Sequence, residues 1–444
     1  MKQYDVVVIG IGTAGQTAAQ TLSSAGKSVA MVDHGPVGGT CALRGCQPKK
    51  YFVVNTQLVA EARALAAHGI AGPVRTDWPA LQAFKREFTD PIPDSVTESL
   101  RNDGIDVFVE RASFTGPGMV RLEQTGTVLR APRFIVATGA RSRPLPISGG
   151  ELAATSDDFL ELKTLPDSIV FIGGGYISLE FAFIAAIAGA RVTVLQRGPR
   201  MLPLFPLSLV EPVTGVGREL GIDFVTDVDV SAITRSGGAY SVQTKDHGRY
   251  DAAWVMSAIG RVPNTDGLGL ETIGADADGR GIAVDEYLET TAEGVFAIGD
   301  CAATKQLAPI ADMEARIAAA NILSPRSRSA EREAIPSVVF THPQIASVGL
   351  TREEAEEKEL DVVVKTGSGD GWPSSRRLGG AVVRYETVAD AVSGRLLGAH
   401  IVGPHAGEQI NVFTLAIRGG VTTGEFAEIP WAYPTYSSDA KYMV

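Results

Sequence analysis

Short apolar runs, separated by glycine turns and Ala-rich stretches, set the pattern of the first half of the chain. Residues 6–9 are one such run, which reads as a strand buried on both faces of a parallel sheet. Residues 10–15 (GIGTAG) follow it, then a helical stretch over 16–25 and an apolar strand over 28–32 that ends at Asp33. The same order returns from residue 169, with an apolar run, Gly173-Gly174-Gly175, a helix continuing over 181–188 and a strand over 191–195. Between the two, residues 51–68 predict an amphipathic helix and residues 79–101 a helical stretch interrupted by Pro91 and Pro93. Short alternating strands run on through 128, and a strand over 134–140 ends in a Gly turn. Pro144, Pro146, Gly149 and Gly150 mark a linker, and the polar stretch 324–332 reads as another. From residue 335 strands and helices continue without a glycine fingerprint, with a helix expected over 406–417.

Each of the two repeats has the parts of a dinucleotide site. In the first, Gly10, Gly12 and Gly15 supply the tight turn and close phosphate approach, and the following helix N-terminus suits a pyrophosphate. Asp33, 23 positions after Gly10, suits ribose hydroxyls. A plain βαβ turn is the bland alternative, and strand, helix and acid together favour the nucleotide. In the second repeat Gly173 and Gly175 stand in place and Ser178 replaces the third glycine. Its second strand ends at Gln196, with Arg197 and Arg200 after it, where an NAD site commonly has an acid. Missing repulsion and two guanidinium groups suit a 2′-phosphate and predict NADPH; a solvated basic turn is the alternative. Two sites imply two dinucleotides, and duplication of one binding domain is the simplest cause.

Composition narrows the rest. A chain of 444 residues suggests two to four domains. A net charge of −11 disfavours nucleic acid and anionic membrane as partners, since both need a basic face. Residues 169–190 are apolar enough to mimic a membrane span, but Glu180 and three glycines favour a buried strand–turn–helix. Three cysteines suit a reducing compartment, and residues 1–5 lead straight into a strand without a signal peptide, so a cytoplasmic protein is expected.

Two of those cysteines, Cys41 and Cys46, lie in Gly38-Gly39-Thr40-Cys41-Ala42-Leu43-Arg44-Gly45-Cys46-Gln47-Pro48-Lys49-Lys50. A spacing of five turns an ideal helix by roughly 140°, so the segment must be irregular if they bond. Pro48 fits the first turn of a helix running through Lys50. A structural staple is unneeded in a large core, and zinc lacks two further ligands nearby. A redox pair about 30 residues after a dinucleotide loop is the favoured reading.

This stretch resembles the active-site segment of the flavin-dependent pyridine nucleotide–disulfide oxidoreductases, among them glutathione reductase, dihydrolipoamide dehydrogenase and mercuric reductase. The resemblance runs essentially end to end and implies an α/β fold. Two Rossmann-like doubly wound nucleotide-binding domains are joined to an α/β interface domain. It implies an FAD-binding domain over 1–143 and 265–330, an NADPH-binding domain over 144–264, and a dimerisation domain over 331–444 that makes a homodimer. Gly39, Thr40, Thr138, Gly139 and Gly260 fall in matching segments. Asp300 matches the acid on the flavin's ribityl chain, and Leu307-Ala308 open a helix beside the ring. Cys46 is implied as the flavin-side thiolate and Cys41 as the outer thiol that attacks a small-molecule substrate. Lys50 and Glu180 match a pair beside the flavin, against the alternative of two ordinary helix residues. An unpaired Glu180 in an apolar run would cost several kcal/mol, so it is expected to have a partner. Tyr176 matches the lid over the nicotinamide pocket, against a packed core tyrosine. Cys301 reads as a small buried hydrophobe.

The departure is at the C-terminus. Where the family has His-Pro-Thr-x-x-Glu, whose His serves as acid/base at the partner's thiols, this chain has Tyr433-Pro434-Thr435, with Ser438 at the Glu position and Asp439 one beyond. None of the six histidines falls near that position in sequence. Phenols ionise near pH 10, so Tyr433 is expected to donate a proton or a hydrogen bond rather than act as a base. Disulfide reduction, reduction of quinones or metal ions without that imidazole, and a flavin-binding sensor without turnover all stay open.

Overall fold

The computed structural model describes residues 1–444, which fall into two compact units. The first comprises residues 1–50, 83–143 and 260–331. At its centre is a five-stranded sheet in the order Val295–Ala297, Arg133–Val136, Val6–Ile9, Val29–Asp33, Asp106–Val109, every pair parallel. Residues of the Val6–Ile9 strand are at most 4% exposed, as a strand covered on both faces must be. Because side chains alternate, Val6 and Val8 enter one core and Val7 and Ile9 another. The first core is closed by the helices Thr13–Ser24 and Ala308–Leu323, through Ala18, Leu22, Ala315 and Ala318. The second is closed by a small sheet that contributes Phe114, Val120 and Leu129.

The second unit comprises residues 51–82, 144–259 and 332–444. It contains a four-stranded parallel sheet ordered Ile222–Val225, Arg191–Leu195, Ser168–Ile172, Trp254–Ser257. The helix Tyr176–Ala188 packs on it, hydrophobic nearly all round and buried along most of its length. A five-stranded antiparallel sheet runs Ser337–Val339, Gln344–Gly349, Leu396–Gly403, Arg384–Asp390, Val362–Ser368. The helix Ala406–Arg418 buries Ile410 and Phe413 against that sheet. The fold is the expected α/β class with two doubly wound nucleotide-binding sheets and a separate α/β element for association.

Two helices differ from the sequence pattern. The helix expected over 51–68 starts earlier, at Cys46, and spans Cys46–Ala64 before a short 3-10 turn, Ala66–His68. Pro48 does not block this start, because amides of a helix's first turn have no intrahelical acceptor to lose. The stretch 79–101 is two helices, Trp78–Thr89 and Ile92–Asn102, with Pro91 capping the second.

Candidate active site

The first fingerprint is closed by backbone contacts that only glycine permits. Gly10 ends the Val6–Ile9 strand with φ +112°, and a Cβ there would lie 2.2 Å from the Ala137 carbonyl oxygen. Asp33 ties the loop down, its carboxylate accepting the Ile11 N–H at 2.7 Å and the Gly35 N–H at 3.0 Å. Gly39 lies against the loop so closely that a Cβ would stand 2.4 Å from Gly12 Cα. The cysteine segment is thereby seated on the fingerprint, and the Thr13 hydroxyl, in the first helical turn after Gly12, hydrogen-bonds Cys41.

Cys41 belongs to the short helix Gly39–Leu43 and Cys46 opens the helix Cys46–Ala64, with an irregular Arg44-Gly45 turn between them. Both are free thiols, Cys41 half-buried and Cys46 exposed. Their side chains share a hydrogen bond, which is the first cause pushing the Cys41 thiol far up; burial and the charge of Cys46 add to it, while Thr13 and Lys49 pull the other way. The shared bond and burial thus disfavour a Cys41 thiolate in this state, while Cys46 occupies the first position of a helix, where amide groups favour one.

The remainder of this unit fits a bound flavin dinucleotide. The Thr138 hydroxyl donates to the Asn264 carbonyl at 2.6 Å and the Asn264 amide returns a bond to the Thr138 carbonyl at 3.0 Å, fixing the turn at Gly139. Asp300 is half-buried, and burial holds its carboxyl above the usual range against the pull of the Arg261 guanidinium. No hydrogen bond takes part in that balance, so the carboxyl is free to meet ligand hydroxyls. Leu307 caps the helix Ala308–Leu323. Cys301 is buried, its thiol 3.3 Å from the carbonyls of Val136 and Ile298.

In the second unit the nucleotide loop repeats this geometry. Gly173 has φ +109°, and a Cβ there would meet the Ala258 carbonyl at 2.5 Å. The Gln196 side-chain oxygen accepts the Gly174 N–H at 2.8 Å, the contact that Asp33 makes with Ile11 in the other unit. Gln196 thus keeps the tie and drops the charge. Gly175 has open space above it, Arg197 is exposed, and Arg200 donates to the Pro203 carbonyl at 2.6 Å. Tyr176 is 45% exposed, so it is no core tyrosine. Glu180 is 1% exposed and accepts the Phe340 N–H at 2.9 Å, which supplies a partner from the backbone. Gly260 has φ +112° at the start of the return to the first unit, and Lys50 lies in the second turn of the Cys46–Ala64 helix.

Tyr433 is 75% exposed. Behind it the Thr435 hydroxyl donates to the Ala432 carbonyl at 2.7 Å, Ser438 donates to the Thr435 carbonyl at 2.6 Å, and Asp439 accepts from the Ser374 hydroxyl. Sequence distance hid one neighbour. His405 lies ring to ring with Tyr436, centroids 4.5 Å apart, so a histidine does stand at this segment in space. No local sequence pattern marks it; in the structure His405 takes φ +56° before the helix Ala406–Arg418.

Comparison with known proteins agrees with this architecture. The profile described as pyridine nucleotide-disulphide oxidoreductase matches residues 4–315, and the dimerisation domain of the same family matches residues 335–444. The chain is 35% identical to a glutathione reductase of Burkholderia cepacia, over 98% of this chain and 97% of that protein. It is 32% identical to a dihydrolipoyl dehydrogenase of Chlamydia pneumoniae (98% and 95% covered) and 30% identical to a mercuric reductase of Bacillus cereus (99% and 71%). Among solved structures, the Cu(II) complex of the HOCl-induced flavoprotein disulfide reductase RclA from Escherichia coli superposes with a TM-score of 0.92 at 27% identity, over 100% of this chain and 99% of that one. Members of this family are oxidoreductases that use FAD and NAD(P)H, which favours an enzyme over a sensor without turnover. The chain belongs to the pyridine nucleotide–disulfide oxidoreductases and is an FAD- and NAD(P)H-dependent flavoprotein disulfide reductase.

Proposed function

We propose that the enzyme carries electrons from NADPH through FAD to the Cys41–Cys46 pair and on to a small disulfide or another soft electrophile. The observation that carries this reading is the seating of the pair on the first fingerprint, Gly39 against Gly12 and Thr13 bonded to Cys41. The flavin, when bound, takes a hydride equivalent from the nicotinamide and gives two electrons to a disulfide. Gly10, Gly12 and Gly15 with the Thr13–Ser24 helix N-terminus hold its pyrophosphate, and Asp33 the ribose. Thr40, Thr138, Gly139, Asp300, Leu307 and Ala308 complete the cradle, and Lys50 with Glu180 flanks the ring. Gly173, Gly175 and Gly260 shape the NADPH site, Tyr176 lids the nicotinamide, and Arg197 with Arg200 takes the 2′-phosphate.

Cys46 holds the thiolate at its helix N-terminus and Cys41 is the outer thiol that attacks substrate. Tyr433 reaches the thiols of the second subunit in a homodimer and gives a hydrogen bond or proton to the leaving thiolate. Cytoplasmic placement is supported by the three cysteines.

Quinone or metal-ion reduction is the second reading. It is favoured by Tyr433 in place of the family's His, and by the Cu(II) complex of the RclA structure. NADPH oxidation by the holoenzyme against oxidised glutathione, other small disulfides, quinones, Cu²⁺ and Hg²⁺ decides between them. Turnover of a disulfide that disappears in both Cys41→Ser and Cys46→Ser supports the first reading. Turnover of quinones or metal ions alone overturns it in favour of the second.

A further inference from the structure

We propose that two buried side chains, Cys301 and Glu314, are positioning residues for the flavin, holding Thr138, Gly139 and Asp300 in register with one another. The inference rests on the flavin cradle proposed above. Its basis is what surrounds the Cys301 sulfur. The strands Arg133–Val136 and Val295–Ala297 are parallel neighbours, and a parallel sheet receives its ligand at the carboxyl ends of its strands. Thr138 and Gly139 follow the first of these strands, and Asp300 follows the second. Cys301 is fully buried between the two ends, its sulfur 3.3 Å from the Val136 carbonyl and 3.3 Å from the Ile298 carbonyl. The sulfur also hydrogen-bonds the N–H groups of Thr138 and Gly139 and the Thr138 hydroxyl. One atom thus joins the backbones of both turns, and the residue that carries it is the chain neighbour of Asp300.

Glu314 holds the same turn from its other side. Its carboxylate, fully buried on the helix Ala308–Leu323, accepts the Gly299 N–H at 2.9 Å. Gly299 has φ +67°, and a Cβ there would stand 3.4 Å from the Ala14 and Ala311 methyl groups, so the turn lies close against two helices. The Gln306 side chain donates to the Asp300 carbonyl at 3.1 Å. The backbone is therefore tied at Gly299, at Asp300 and at Cys301, while the Asp300 carboxyl is left to the ligand.

A small hydrophobe would fill the space of Cys301 and make none of these bonds. Without the sulfur, two amides and two strand ends lose their common partner, and the turns can shift against each other. Only the fraction of apoprotein with both turns in place then binds flavin, and the apparent dissociation constant rises as the inverse of that fraction.

The test compares Cys301→Ala with Cys301→Ser, which are nearly equal in volume and differ in a hydroxyl able to donate and accept in place of the sulfur. Flavin is stripped from each protein and FAD rebinding is titrated by fluorescence quenching, with the thermal melt of the apoprotein as the folding control. Cys301→Ala should weaken FAD binding by about 10- to 100-fold, and Cys301→Ser should return it to within about threefold of wild type. Glu314→Gln, whose side-chain oxygen still accepts the Gly299 N–H, should recover affinity in the same way relative to Glu314→Ala. If the Cys301→Ala apoprotein does not fold, the Glu314 comparison decides. Alanine variants that fold and bind FAD as wild type does overturn the inference, and so do alanine and serine variants weakened equally. Asp300→Asn then separates the two readings. If it alone weakens FAD binding, the cradle stands without these positioning residues; if it has no effect either, the cradle falls with them.

Discussion

In the nucleotide sites proposed above, Gln196 and Asp300 are the two residues at which a single change of charge tests the assignment most directly. Gln196 accepts the Gly174 N–H as a carboxylate would, so Gln196→Glu preserves the loop and adds only charge. A like-charge contact costs several kcal/mol, and each 1.4 kcal/mol is tenfold. The Michaelis constant for NADPH should therefore rise by about 10- to 100-fold, with that for NADH changing less than threefold. Steady-state kinetics with both nucleotides check this, and equal effects on the two would remove Arg197 and Arg200 from the 2′-phosphate site. At Asp300, burial raises the carboxyl above its unfolded value. Its stability contribution is present below the unfolded value and is lost as pH rises through the folded one, so at neutral pH the ionised carboxyl burdens the apoprotein. Asp300→Asn should stabilise the flavin-free protein at pH 7 by about 1–3 kcal/mol and not at pH 3. The same change should loosen the flavin. Thermal melts of apo and holo forms at the two pH values read both effects, and a variant that melts lower in its apo form at pH 7 contradicts the argument.

At the level of elements, the cysteine pair depends on two backbones in contact. Gly39 has φ +72°, and a Cβ there would stand 2.4 Å from Gly12 Cα, with no flexible side chain to give way. Gly39→Ala must separate the Gly39–Leu43 helix from the fingerprint loop or strain both. The expected cost is about 1–3 kcal/mol. Purified protein should carry less flavin per chain, and Cys41 should alkylate more slowly, because losing Thr13 removes a contact that favours its thiolate. Full flavin content and an unchanged alkylation rate would show that the contact is not what positions the pair. The early start of the Cys46–Ala64 helix belongs at this scale too. It places Cys46 at a helix N-terminus, which separates the chemistry of the two thiols more than their sequence spacing does.

The whole molecule enters because 110 C-terminal residues, 335–444, match the family's dimerisation domain. If Tyr433 acts on the partner's thiols, a mixed dimer of Cys41→Ser and Tyr433→Phe chains has one site with both defects and one with none. Neither parent dimer has an intact site. The mixed dimer should recover about half of wild-type disulfide turnover, a value set by the two-fold symmetry. Refolded or co-expressed mixtures, separated by differential tags, measure this. No recovery above the parents would mean that Tyr433 works within its own chain.

How much of this could be read from the sequence differs by range. The two βαβ units were legible because strand, glycine turn, helix and terminal residue fall within 28 consecutive positions, 6–33 and 169–196, and each part has its own local signal. Family membership followed from the same local stretches, above all the segment from Gly38 to Lys50. Tertiary structure alone decided which side chains meet. Thr13 reaches Cys41 across 28 positions, and Gln196 takes up the amide of Gly174 across 22. His405 comes to lie against Tyr436 across 31, where the sequence offered no histidine near Tyr433. Hydrophobic periodicity fixes which face of an element is buried, but the partner of a polar side chain is set by how separate elements pack, and no local pattern records that.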